Sequence, residues 1–179
     1  VKNKSCNIIW LLGVSGAGKT TLGRMLQECL SSIGRKVYLI DGDEMRSFYD
    51  NDLGYSREER MENIKRIMFS AYTLSCSGVD VIVCNISPFQ ILRDFARRKL
   101  PEYNEIYLKR DLKDVMQHDV KGVYKTQQGN THIVGVDLPF EEPVASDLTL
   151  DTSATTPQQA LDMLWSFLKN KYPGDYAGH

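Results

Sequence analysis

A chain of 179 residues with 42% hydrophobic composition carries enough apolar material for one substantial core and too little for two. Its 22 basic side chains stand against 23 acidic ones, so a formal net charge of -1 gives no general attraction to nucleic acid or to anionic lipid, and any phosphate recognition has to be local. Cys6, Cys29, Cys76 and Cys84 lack metal-ligand spacing and read as reduced thiols of a cytoplasmic protein. The apolar run 8–12 is too short to cross a bilayer and no small-residue cleavage site follows it.

In chain order, residues 7–12 form an apolar strand that runs into a glycine-rich loop. A helical pattern follows, with Leu22, Met25, Leu26, Cys29 and Leu30 recurring at three and four, and Gly34 closes it. Residues 36–40 are the second strand, ending on Asp41-Gly42-Asp43, which sets two carboxylates at a strand's carboxyl edge, where ligands of open α/β sheets bind. Helical spacing returns over 58–76 through Ile64, Ile67, Met68, Ala71 and Leu74, and Gly78 stops it. Residues 79–84 are nearly all apolar, as expected of a strand covered on both faces.

A helix rich in arginine over 89–99 leads to a strand at 105–108 and a short helical segment at 112–118. The polar stretch 121–132, with Gly122 and Gly129, reads as a mobile loop over the sheet's edge. A last strand at 148–151 precedes a helix that opens on Pro157 and carries Leu161, Leu164, Trp165 and Leu168 on one face. Residues 171–179 have no periodicity and read as a frayed end. Strand, loop and helix alternate, which predicts an α/β fold with a parallel sheet between two helical layers, in one domain.

Gly13-Val-Ser-Gly-Ala-Gly-Lys-Thr20 has the spacing of a phosphate-binding loop, with a strand before it and a helix after it as that motif requires. Glycines let successive amides curl round phosphates, and the helix adds its positive end. Gly13, Ser15, Gly16, Ala17, Gly18, Lys19, Thr20 and Thr21 are therefore the candidate nucleotide contacts, with Lys19 on the β and γ phosphates and the Thr20 hydroxyl at a magnesium position. Asp41 and Asp43 have the composition of ordinary turn formers. Their place at a strand end gives them a second reading, as groups that orient a metal-bound water or take the proton of an attacking hydroxyl, with Asp43 chosen as the base and as a metal contact beside Thr20.

Arg46, Arg57, Arg60, Lys65 and Arg66 alternate with Glu58, Glu59 and Glu62, which suits a solvated helix face paired at three and four. Arg46 and Arg60 also suit an anionic acceptor, because fixed guanidinium donors grip phosphate or sulfate. In the break Asn85-Ile-Ser-Pro88, Ser87 reads either as the cap of the following helix or as a ligand contact.

Taken together, the glycine loop, Ile40-Asp-Gly-Asp-Glu-Met-Arg46, the block 52–66, Ile86-Ser-Pro-Phe89, Lys121-Gly-Val-Tyr-Lys125 and Gly135-Val-Asp-Leu-Pro-Phe-Glu141 resemble the adenylylsulfate kinase family, in order and over almost the whole chain. The resemblance implies a three-layer P-loop kinase fold, with ATP and magnesium as cofactors. The implied reaction transfers the γ-phosphate to the ribose 3'-hydroxyl of adenylylsulfate. It also implies a homodimer.

By the same resemblance Asp43 and Asp41 lie near the 3'-hydroxyl and magnesium, and Arg46, Arg60 and Asn63 grip the acceptor nucleotide. Tyr55 stacks on the acceptor's base, Ile86 and Ser87 line the acceptor loop, and Lys121 begins a lid over 121–132. Ile133 falls where the family has a second aromatic of the base clamp. Gln90, His118 and Thr126-Gln127-Gln128 replace positive charge found in the family. Those departures leave open the same chemistry on another nucleotide, such as cytidine diphosphoramidate, and a nucleotide-binding module without turnover.

Overall fold

The structure is a computed structural model that describes residues 6–117 and 133–176. Its strands are β1 (Ile8–Leu12), β2 (Val37–Asp41), β3 (Asp80–Cys84), β4 (Tyr103–Lys109) and β5 (Leu148–Asp151). The helices are α1 (Lys19–Ser32), α2 (Gly42–Phe48), α3 (Arg57–Cys76), α4 (Gln90–Lys99), α5 (Leu112–Gln117) and α6 (Pro157–Lys171). The strands form one sheet in the order β2-β3-β1-β4-β5, and every pairing between them is parallel.

β1 lies at the centre and all five of its residues are buried, so its period of two divides the core. Ile9 and Leu11 face one layer with Ile82, Ile106, Leu108 and Leu150. Leu22, Leu26 and Leu30 of α1 and Leu161, Leu164 and Leu168 of α6 cover that side. Ile8, Trp10 and Leu12 face the other, with Ile40, Val81 and Val83, beneath Ile64, Ile67 and Ala71 of α3 and Phe89, Leu92 and Ala96 of α4. This is the three-layer arrangement that the alternation of elements predicts. Gly23 of α1 is obligatory here, since a Cβ would lie 2.6 Å from the Cys84 sulfur and force the helix off the sheet.

Two helix starts follow from local sequence. Ser56 and Glu59 form a reciprocal capping box at α3, and Thr156 and Gln159 form another at α6, where Pro157 takes the first turn. One element departs from expectation: Asp41-Gly42-Asp43 is no turn. β2 runs to Asp41, and Asp41 then serves as N-cap of α2, its carboxylate accepting the Asp43 amide at 2.9 Å.

The end of the chain also differs from a frayed tail. Gly174, at φ 95°, turns the backbone, and Tyr176 is fully buried between the two ends of the chain. Its hydroxyl accepts from Asn7 Nδ2 at 2.6 Å, its ring meets Trp165 edge-on, and the Arg35 guanidinium lies 4.9 Å from the ring centre. Arg35 is itself paired with buried Asp80. A large buried aromatic with a partner for its hydroxyl offsets part of the ordering cost of the five residues after α6, and periodicity does not register it.

Candidate active site

The carboxyl ends of β1, β2 and β3 open on a cavity of about 620 Å³. Its floor is the loop after β1. Gly13 sits at φ 147°, where a Cβ would lie 2.4 Å from the Leu108 carbonyl oxygen, and Gly16 and Gly18 also have positive φ. Ser15, Gly16, Ala17, Gly18, Lys19, Thr20 and Thr21 all line the cavity. Gly13 contributes through its carbonyl: the Lys19 ammonium donates to the Gly13 and Val14 oxygens at 2.8 and 2.7 Å, so the lysine is curled over its own loop.

The Thr20 hydroxyl donates to the Asp41 carboxylate at 2.7 Å. Asp41 thereby joins the phosphate loop to α2, since its other oxygen caps that helix. The sequence reading put the metal on Thr20 and Asp43; the carboxylate in contact with Thr20 is that of Asp41, while Asp43 lines the cavity two residues further, in the first turn of α2, and is more exposed. Gly42 between them is pressed against Asn85, where a Cβ would fall 2.4 Å from Nδ2. Hence α2 and the loop after β3 close on each other across the cavity's rim.

At the other end of the cavity, α2 and α3 supply a cationic and aromatic wall. Arg46 is buried and donates from one nitrogen to the Leu53 and Gly54 carbonyls at 3.0 and 2.9 Å. This holds the 49–56 connection and sets Tyr55 under two guanidinium groups, with Arg46 4.6 Å and Arg60 5.1 Å from the ring centre. Arg60 also donates to the Tyr55 carbonyl. Burial, then the neighbouring Arg46 cation, press the Arg60 pKa below its ordinary value, with Tyr55 pulling the other way. Two cations held together in this way attract an anion with more than one negative oxygen. Asn63 is buried beside them and lines the cavity with Ile86.

Two predicted acceptor residues do not reach the cavity. Ser87 is buried at φ 48°, its hydroxyl accepting from Trp10 Nε1 at 2.8 Å and donating to Asn85. It is no helix cap either, because α4 begins after Phe89. Its neighbours Asn85, Ile86 and Pro88 line the cavity instead. Ile133 is buried in the α1–α6 layer of the core. Lys121 and the expected lid over 121–132 lie outside the described residues.

Sequence reasoning missed Arg110, which lines the cavity and donates to the Gly16 carbonyl at 3.1 Å, and Thr152, Thr155 and Pro157, which close it beyond the loop. Arg110 follows the end of β4, so the same strand-end rule that flagged Asp41 applies to it. Cys84 lines the cavity too, but burial, reinforced by Asp41, pushes its thiol up to about 12, which makes it a packing group and no nucleophile.

A phosphate loop on the central strand of a parallel sheet, with a lysine, a hydroxyl and a strand-end carboxylate converging on one cavity, defines a P-loop kinase. Within that class the chain belongs to the adenylylsulphate kinase family, whose sequence model matches residues 5–151. It is 39% identical to the adenylyl-sulfate kinase of Bacillus velezensis over 94% of this chain and 87% of that one. It is 36% identical to a probable adenylyl-sulfate kinase of Aeropyrum pernix over 90% and 92% of the two chains.

Among solved structures it resembles the APS kinase of Mycobacterium tuberculosis in complex with AMPPNP and APS. The TM-score is 0.84 and the identity 30%, over 92% of this chain and 98% of that one. A gluconokinase of Sinorhizobium meliloti, at 15% identity and a TM-score of 0.63 over 98% of both chains, shares the fold alone.

Proposed function

We propose that this protein transfers the γ-phosphate of ATP to the ribose 3'-hydroxyl of adenylylsulfate, giving 3'-phosphoadenylylsulfate. The observation that carries the reading is a cavity lined both by the phosphate loop and by Arg46, Tyr55, Arg60 and Asn63. Lys19 holds the β and γ phosphates, which requires it to exchange the Gly13 and Val14 carbonyls for phosphate oxygens. Asp43 takes the proton of the attacking hydroxyl. Arg46 and Arg60 bind the sulfated phosphate tail, and the acceptor's base lies against Tyr55.

Thr20 and Asp41 present hard oxygen donors in contact, a set that suits magnesium. Thr20 and Asp41 are the residues that would hold the ion; among the described residues no group of three or more acidic, histidine or cysteine side chains is placed to hold a metal. An ion held by Thr20 and Asp41 would supply charge neutralisation at the transferring phosphoryl group. Arg110 and the Thr155–Pro157 turn enclose the donor nucleotide beyond the phosphates.

A homodimer in the cytoplasm completes the reading. None of the four cysteines is paired, and no helix among the described residues is long and apolar enough to cross a membrane. Sedimentation of the purified protein measures the oligomeric state.

The functional test is kcat/KM for adenylylsulfate beside cytidine diphosphoramidate at fixed magnesium and ATP, since specificity is the ratio of these values. Adenylylsulfate should win. A cytidine compound ahead by more than about tenfold, near 1.4 kcal/mol of differential transition-state binding, transfers the assignment to that acceptor.

A further inference from the structure

α4 begins without a cap from its own neighbourhood: Phe89 stands at the N-cap position and offers no side-chain acceptor. The acceptor comes from elsewhere in the chain. Glu141 Oε2 takes the Gln90 amide at 2.6 Å, meeting both an orphan donor and the positive end of the helix. Its other carboxylate oxygen lies 3.7 Å from the Arg57 guanidinium, which covers the Phe89 ring at 4.4 Å. The backbone of Glu141 is engaged as well. Its amide donates to the Pro88 carbonyl at 3.0 Å, and its carbonyl accepts from buried Arg93 at 2.6 Å, the residue that also donates to the Ser87 carbonyl at 2.8 Å.

Glu141 therefore touches two elements that both contribute walls of the cavity. One is the loop carrying Asn85, Ile86 and Pro88; the other is the first turn of α3, one helical turn before Arg60 and two before Asn63. Glu141 does not line the cavity itself. A carboxylate in this place fixes the gap between the walls, and a gap wrong by a fraction of an ångström weakens every contact that bridges it.

We infer that Glu141 is a positioning residue for the acceptor, holding the 85–88 loop against the start of α3 without contacting either substrate. The kinetic half of this inference rests on the adenylylsulfate reading above; the structural half does not. Trp10 supplies the independent readout, because its indole N–H is bonded to Ser87 in the loop that Glu141 holds.

The test compares wild type with Glu141→Gln, which keeps an acceptor for the Gln90 amide and loses the charge facing Arg57, and with Glu141→Ala, which loses both. KM for adenylylsulfate should rise about tenfold in Glu141→Ala and less in Glu141→Gln, while KM for ATP stays within about twofold. In ¹⁵N-labelled protein the Trp10 indole resonance should move in Glu141→Ala and that of Trp165 should not. An unmoved acceptor KM, an unmoved Trp10 resonance, or an equal rise in both KM values overturns the inference. If wild type fails to phosphorylate adenylylsulfate, the functional reading falls separately and the two indole resonances alone decide the role of Glu141.

Discussion

The Thr20 hydroxyl donates to the Asp41 carboxylate at 2.7 Å, so the phosphate loop and the end of β2 are joined by one hydrogen bond before any nucleotide arrives. In the proposed reading this bond divides the work of the two aspartates: Asp41, bonded to Thr20, serves the metal, and Asp43, on α2, serves the acceptor hydroxyl. Asp41→Asn keeps a good helix cap and loses the charge, so it should raise the magnesium concentration needed for half-maximal rate. Asp43→Asn should lower kcat by about 10²-fold or more and leave the magnesium requirement in place. Rate measured against magnesium for both variants checks this, and an unchanged requirement in Asp41→Asn would refute the division.

In the proposed reading Lys19 exchanges its bonds to the Gly13 and Val14 carbonyls for phosphate oxygens, and its charge counts most where charge on the phosphates is greatest. Lys19→Ala is expected to lower kcat by on the order of a hundredfold or more at saturating acceptor. Thr20 to Asp41 contact and the fold should survive, which a circular dichroism spectrum and melting curve will register. Near-normal turnover would remove the lysine from the transition state.

What the sequence made legible was whatever repeats with a period or a fixed spacing. β1 and β3 are continuous apolar runs, the faces of α1, α3 and α6 are apolar at three and four, and the glycine loop has its own spacing. The parallel pairing follows from the alternation of strands and helices, but the order β2-β3-β1-β4-β5, with the loop on the central strand, is set by tertiary packing that alternation leaves open. α2 stayed hidden because Asp-Gly-Asp is also turn chemistry, and only the cap bond from Asp41 to Asp43 decides between them. Ser87 and Ile133 show a different limit. Family position put both at the acceptor, but their side chains are taken up by Trp10 and by the core. Arg110 and Thr152 each follow the end of a strand, so the strand-end rule reaches them, whereas Thr155 comes to the cavity through tertiary closure, which no window of sequence contains.

Tyr176 should behave as a core residue despite lying near the end of the chain. Tyr176→Ala empties a buried aromatic site and is expected to cost about 3–5 kcal/mol. Tyr176→Phe loses only the bond from Asn7 and should cost about 1 kcal/mol. Urea unfolding of the two variants measures this, and kcat should be unchanged in the folded protein because the residue lies away from the cavity lining. A Tyr176→Ala protein as stable as wild type would return the tail to the frayed state that its composition suggests.

Glu105 and Asp147, adjacent through the Glu105 amide, respond to pH in opposite senses. Burial raises the Glu105 carboxyl above its ordinary pKa, and the Arg97 and Arg93 cations, 3.5 and 3.9 Å away, only partly reverse that. Burial acts on Asp147 too, but the Glu105 N–H, Lys171 and Arg97 prevail and hold it below its ordinary value. A raised pKa gives stability that is complete below the unfolded pKa and is lost as pH rises through the folded one. The lowered Asp147 contributes above its unfolded pKa and loses that contribution as pH falls through the folded value. Glu105→Gln removes the first response and keeps the second. The stability of Glu105→Gln relative to wild type should therefore improve as pH rises from the ordinary carboxylate range through the raised folded pKa of Glu105, the interval in which wild-type Glu105 ionises at a cost. Denaturant midpoints of both proteins across that interval give the difference directly. A difference that stays flat, or that moves in favour of wild type as pH rises, would mean that Arg93 and Arg97 stabilise the Glu105 carboxylate more than its burial opposes it.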